Sequence, residues 1–135
     1  MARLGRALPM SILMRSGTVR RLVLRDVARH GNLLTAAEAV EATDDLLGCE
    51  ILDDMLSCHE EIAPLDPLPC PVTLAWSGED ALLPVDVNGE VARARLPGAR
   101  FVVVPAVGHV PMIDDPEAVG RVILQTTSAR VPPPV

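Results

Sequence analysis

Two side chains suited to proton transfer, Asp80 and His109, stand in matched surroundings. Asp80 lies in Trp76-Ser77-Gly78-Glu79-Asp80-Ala81-Leu82-Leu83-Pro84, and His109 in Val107-Gly108-His109-Val110-Pro111-Met112-Ile113-Asp114-Asp115-Pro116-Glu117. Each segment follows a short apolar run that reads as a buried strand, and each puts its titratable residue in the loop leaving that strand. A carboxylate placed beside an imidazole accepts the proton of one ring nitrogen, fixes the tautomer and stabilises the imidazolium that forms in reaction. The imidazole is then a general base toward a nucleophile. Taken singly, Asp80 reads equally as a turn residue before Pro84, and His109 as a satisfied loop histidine. Their shared placement makes them two-thirds of a charge relay.

That placement follows from the elements around them. Residues 72–76 and 100–104 have the apolar, β-branched character of buried strands. Between them, residues 86–95 read as a helix. Strand, helix and strand with about ten helical residues between is the βαβ unit, which makes the strands parallel. Parallel neighbours send their outgoing loops to the same edge of the sheet, the edge at which open α/β sheets bind ligands. Asp80 and His109 therefore meet there. A last helix is expected over residues 116–125, with Asp115 as N-cap, Pro116 in its first position and Glu117 in its first turn. Asp114 and Asp115 are read as electrostatics of that helix start, not as catalytic acids.

Upstream the texture is helical. Val19, Leu22, Val23 and Val27 recur at helical spacing from Thr18, and Gly31 ends the run. Thr35-Ala36-Ala37-Glu38 is a capping box, opening a helix to about Leu47 with Gly48 as a left-handed cap. Ile51, Leu52, Met55 and Leu56 line one face of a third helix. Pro64, Pro67, Pro69 and Pro71 then impose an extended connector. The resulting organisation is a helical segment over residues 1–62, a Pro-rich connector over 63–71, a β-α-β-α part over 72–126 and a tail over 127–135.

Composition excludes several function classes. The 135-residue chain is one domain at most. Trp76 and Phe101 are its only aromatic residues, so stacking on nucleobases or sugars is disfavoured, and the core must be aliphatic. All cations are arginines. Residues 1–29 carry seven of them and one acid, while residues 30–92 carry no arginine and fourteen acids. The blander reading is that these blocks pair. A net charge of −6 is a poor start for a nucleic-acid footprint, and no apolar run is long enough to span a membrane. The Arg-rich start formally resembles an organelle presequence, but Arg20 to Arg29 continue into a helix.

Cys49, Cys58 and Cys70 cannot all pair with one another, so with no secretory signal the expectation is three reduced thiols in a cytoplasmic protein. Cys58-His59 with Cys49 and Cys70 invites a zinc reading, but lacks the close Cys-x-x-Cys pairs of structural sites. Buried thiols acting as small apolar residues are the simpler expectation. His30 either favours a helix C-terminus or lines the inner face of the helical segment.

At the two loops the chain resembles the α/β-hydrolase family. Gly78-Glu79-Asp80-Ala81-Leu82-Leu83-Pro84 is similar to that family's acid loop, and Gly108-His109 with Asp115-Pro116-Glu117 behind it is similar to its histidine loop. The match covers roughly Pro69 to Gln125. The resemblance implies a partial α/β-hydrolase fold of class α/β, in which helices like those of residues 18–61 form a lid and two parallel strands carry the pair. It implies hydrolysis of an ester or related acyl bond, with Asp80 orienting and stabilising and His109 acting as base and then acid, no cofactor, and a small apolar ester-like substrate. The family's nucleophile sits in a Gly-x-Ser-x-Gly elbow, and no serine here has glycine at both flanking positions: Ser16 has Met14 and Thr18, Ser77 has Ala75 and Glu79. Cys58 and Cys70 do not substitute. The chain thus reads as the C-terminal fragment of such an enzyme, or alternatively as an inactive remnant or docking subunit. An exposed sheet edge would then invite self-association or a complementing chain.

Overall fold

The computed structural model describes residues 10–58 and 63–128. Its centre is a two-stranded parallel sheet of β1 (Thr73–Ser77) and β2 (Arg100–Val104), in register from Thr73 opposite Arg100 to Ser77 opposite Val104. The chain segment between the strands begins with a wide helical turn, Val85–Gly89, and tightens into a regular helix, Glu90–Arg95. The helical region therefore starts one residue earlier than the sequence suggests. Pro84, extended at φ −54° and ψ 137°, fixes that start.

Alternation along the strands assigns the two faces. Leu74, Trp76, Phe101 and Val103 share one, and the helical turn packs there: a Cβ on Gly89 would lie 3.2 Å from the Phe101 ring and 3.5 Å from that of Trp76. Those rings stack at 6.3 Å between centroids. Thr73, Ala75, Ser77 and Val104 share the other face. The last helix, Pro116–Thr127, ties to it through the Thr126 hydroxyl, which donates to Thr73 Oγ1 at 2.9 Å. Asp115 caps this helix as expected, accepting from the Ala118 amide at 2.8 Å. Crossover and final helices on opposite faces are the layering of an open α/β sheet.

The helical segment before the sheet has its own small core of Met14, Leu24 and Ala39, with Met10, Leu34, Ala36 and Val40 packed against it. The buried side chains are aliphatic, as the composition requires. The capping box is present in full: the Glu38 amide donates to Thr35 Oγ1 at 3.2 Å, and Glu38 Oε2 accepts from the Thr35 amide at 2.7 Å. The helix it opens runs Ala36–Leu47. Gly48, however, is right-handed at φ −92° and not left-handed. Its amide still donates to Asp44, and Cys49 continues with a tighter bond to Leu46, so the chain winds on toward the short helix Leu52–Ser57.

The first helix also differs from expectation. It is regular only over Gly17–Val23, followed by tight turns and a short 3-10 helix, Gly31–Leu33. Beyond Val23 the chain keeps to turns, with the Val27 and Ala28 amides both donating to the Leu24 carbonyl. From there the acceptors are tertiary: the amides of Arg29 and His30 donate to the Asp114 carboxylate, and the Val27 carbonyl accepts from the Val110 amide.

Candidate active site

The loop leaving β1 stays paired to the loop leaving β2 beyond the strand ends. The Gly78 amide donates to the Val104 carbonyl at 2.8 Å, and the Glu79 amide to the Val107 carbonyl at 3.0 Å. This extension carries Asp80 to His109. His109 Nδ1 lies 3.0 Å from Asp80 Oδ2 and 3.2 Å from Oδ1. The Asp80 side chain is only 7% exposed, while the imidazole in front of it is 34% exposed. A buried carboxylate backing a half-open ring is the geometry of an orienting acid and an accessible base.

Asp80 is also held from its own loop. Its Oδ1 accepts from the amides of Leu82 at 3.0 Å and Leu83 at 2.8 Å. Partial burial works against its charge. The Leu83 amide, the His109 ring and the Leu82 amide outweigh that penalty, so the carboxyl titrates below its ordinary value. An ionised carboxylate has no hydrogen to give, so the ring nitrogen facing it must be the donor. Nδ1 then carries a proton, and in the neutral ring Nε2 is left with its lone pair.

The loop after β2 contains Ala106 at φ 60°, a left-handed conformation rare for a side-chain-bearing residue. The loop buries Val107, 1% exposed, and brings Gly108 against the backbone of residues 28–29. A Cβ on Gly108 would lie 2.9 Å from the Arg29 nitrogen. Asp114 completes this junction. Its side chain has no solvent exposure and accepts from the amides of Gly108 at 2.7 Å, His30 at 2.6 Å and Arg29 at 3.0 Å. The His30 ring lies 3.4 Å from the same carboxylate. Asp114 is therefore not helix-start electrostatics, as its sequence position suggested, but a staple between distant segments. His30 does not cap a long helix; it sits at this staple.

Arg29 adds a second tie, an ion pair with Glu79 next to Asp80. It joins the basic N-terminal block to the acidic block. Both side chains are substantially exposed, so its contribution is about 0–1 kcal/mol. Each amide held by Asp114 would cost about 1–3 kcal/mol if left buried without an acceptor. The staple outweighs the ion pair. Sequence reasoning missed Arg29, Glu79 and Asp114 as a unit, because nothing local marks contacts across 84 and 85 positions.

The remaining candidates are not assembled. Cys49, Cys58 and Cys70 are free thiols, and all three are exposed, which corrects their reading as buried apolar residues. Each lies in a turn, at a helix end or in the connector, where no core forms. Among the described residues no group of three or more His, Cys, Asp or Glu side chains is placed to hold a metal ion; His59 lies outside the described residues. Two surface concavities, one between Arg15 and the helix Ala36–Leu47 and one beside Arg93, Pro97 and Phe101, are not lined by Asp80 or His109. No helix among the described residues is long and apolar enough to cross a membrane.

A parallel α/β unit presenting an acid–histidine pair at its carboxyl edge defines an α/β-type protein. Residues 2–122 match the sequence model described as "Alpha/beta hydrolase family", and the chain belongs to that family. The match reaches far upstream of the two loops and takes in the helical segment, which carries no motif of its own. No curated protein and no solved structure gives a match.

Proposed function

We propose that this chain supplies the acid and histidine of a charge relay for hydrolysis of an ester or related acyl bond. The observation that carries this reading is the 3.0 Å contact between His109 Nδ1 and Asp80 Oδ2 at the carboxyl edge of the sheet. Asp80 holds the imidazole in the tautomer that leaves Nε2 basic. His109 takes a proton from the attacking hydroxyl and returns it to the leaving group. In this reading residues 1–62 are lid-like, 63–71 connect, 72–126 form the C-terminal β-α-β-α part of the hydrolase core and 127–135 are a tail. No cofactor is involved, the substrate is small and apolar, and the chain works in the cytoplasm, where its three thiols stay reduced.

The alternative is a non-catalytic remnant or docking subunit. It is favoured by a specific feature of the sequence: no serine stands in a Gly-x-Ser-x-Gly elbow. One experiment separates the two. The purified chain is given short acyl p-nitrophenyl esters and, in parallel, a fluorophosphonate that labels activated serines. Ester turnover that falls about 100-fold or more in His109→Ala, with a labelled residue identified by mass spectrometry, supports the hydrolase reading. Absence of both turnover and label, with His109→Ala behaving like the parent, supports the non-catalytic one.

A further inference from the structure

The backbone on both sides of His109 is tied into a junction with residues 27–30. Gly108 donates to Asp114 Oδ2 at 2.7 Å, and Val110 donates to the Val27 carbonyl at 2.8 Å. The same Asp114 carboxylate holds the amides of Arg29 and His30. Arg29 in turn grips Glu79, the neighbour of Asp80. The contacts close a circuit: Asp114 to Arg29, Arg29 to Glu79, along the chain to Asp80, across to His109, back through Gly108 to Asp114. The His109 loop is thereby held from behind by one completely buried carboxylate that touches neither member of the pair.

We propose that Asp114 is the positioning residue for the Asp80–His109 pair, acting through the backbone of residues 27–30. The proposal rests on the reading of that pair as a charge relay, and assigns the helical segment a role in building the site as well as in covering it. A carboxylate is required because both of its oxygens accept: Oδ2 from Gly108 and Arg29, Oδ1 from His30. An asparagine there keeps one accepting oxygen and turns its NH2 group toward at least one amide that is itself a donor. The His109 loop would then be free to shift by a few tenths of an ångström or more. The contact of His109 with Asp80, already spread over two oxygens at 3.0 Å and 3.2 Å, would loosen.

The test reads the ring tautomer of His109, which a purely structural role for Asp114 would not move. Long-range proton–nitrogen NMR correlations of the imidazole distinguish Nδ1–H from Nε2–H, and loss of a signal in His109→Gln assigns the ring. The parent chain is expected to hold His109 mainly as Nδ1–H. In Asp114→Asn the Nε2–H share is expected to rise several-fold, while amide resonances of Thr73–Ser77 and Arg100–Val104 report an intact sheet. Gly108→Ala provides a second route if Asp114→Asn fails to fold. Its added Cβ would meet the Arg29 nitrogen at 2.9 Å, wedging the same junction while leaving the side chains of Asp114, Asp80 and His109 in place. Parent-like Nδ1–H preference in the folded variants overturns the positioning role and leaves the pair standing. A parent ring with no such preference overturns the pair itself, and both readings fall with it.

Discussion

The chemistry of this site reduces to which atoms surround one carboxyl group. Asp80 combines two loop amides with an imidazole, and these outweigh the burial that opposes its charge, so its folded-state pKa lies below the ordinary carboxylate value. A depressed pKa means that the unfolded chain takes up the proton first as pH falls. Asp80 therefore contributes stability in full above about pH 4, the ordinary aspartate range, and loses it as pH falls through the depressed value. In urea titrations from pH 6 downward, Asp80→Asn should be less stable than the parent near neutrality. The gap should close in the acid range. A constant gap at every pH would show that the charge of Asp80 contributes nothing. At this scale the sequence was informative about Asp80 and His109, because strand–loop context alone aims both at one edge. It misread Asp114 as part of a helix start, because two of its three amide partners lie more than eighty residues away.

Elements were legible where their signals are local. Thr35-x-x-Glu38 and Asp115-Pro116 mark helix starts through contacts within four residues, and both caps are present. The ends of helices were harder. Gly31 and Gly48 read as terminators. Yet the helix before Gly31 is regular only to Val23, and Gly48 passes the chain onward in a right-handed turn. A glycine permits a helix end without fixing it, whereas a capping box carries its own acceptors. Thr35→Ala should accordingly lower stability by about 1 kcal/mol, and Thr35→Ser should restore most of it, read from the urea midpoint. The loss matters because the helix Ala36–Leu47 buries Ala39 against Met14 and Leu24, the core from which the chain proceeds to residues 27–30. An unchanged midpoint in Thr35→Ala would mean that this segment does not take part in the cooperative unit.

At the scale of the whole molecule, much apolar surface is uncovered among the described residues. Leu46, Leu47, Ile51, Met55 and Leu56 are all more than half exposed on the helical segment, as are Ile123 and Leu124 on the last helix. The sheet has two strands, and such a pair is marginal in water unless its faces and edges find partners. The ladder shows which backbone groups are free to do so. Val72 accepts from Arg100 and Gly78 donates to Val104, so in a parallel ladder the even-numbered residues of β1 face β2 and the odd-numbered ones face outward. Ala75, exposed and central in β1, therefore points its N–H and C=O away from the sheet. A second copy of the chain, meeting this edge about a two-fold axis, would pair these groups and bury apolar surface on both sides. Sedimentation velocity across a concentration series should show the parent chain self-associating. Ala75→Pro should hold it monomeric, because proline removes an outward N–H while sparing the bonds to β2. A melting curve for Ala75→Pro close to the parent's in dilute solution would show that the fold survives the substitution. A parent chain that stays monomeric throughout the series would mean that the edge is blunted by the chain itself, and that the uncovered surface is not an interface between copies.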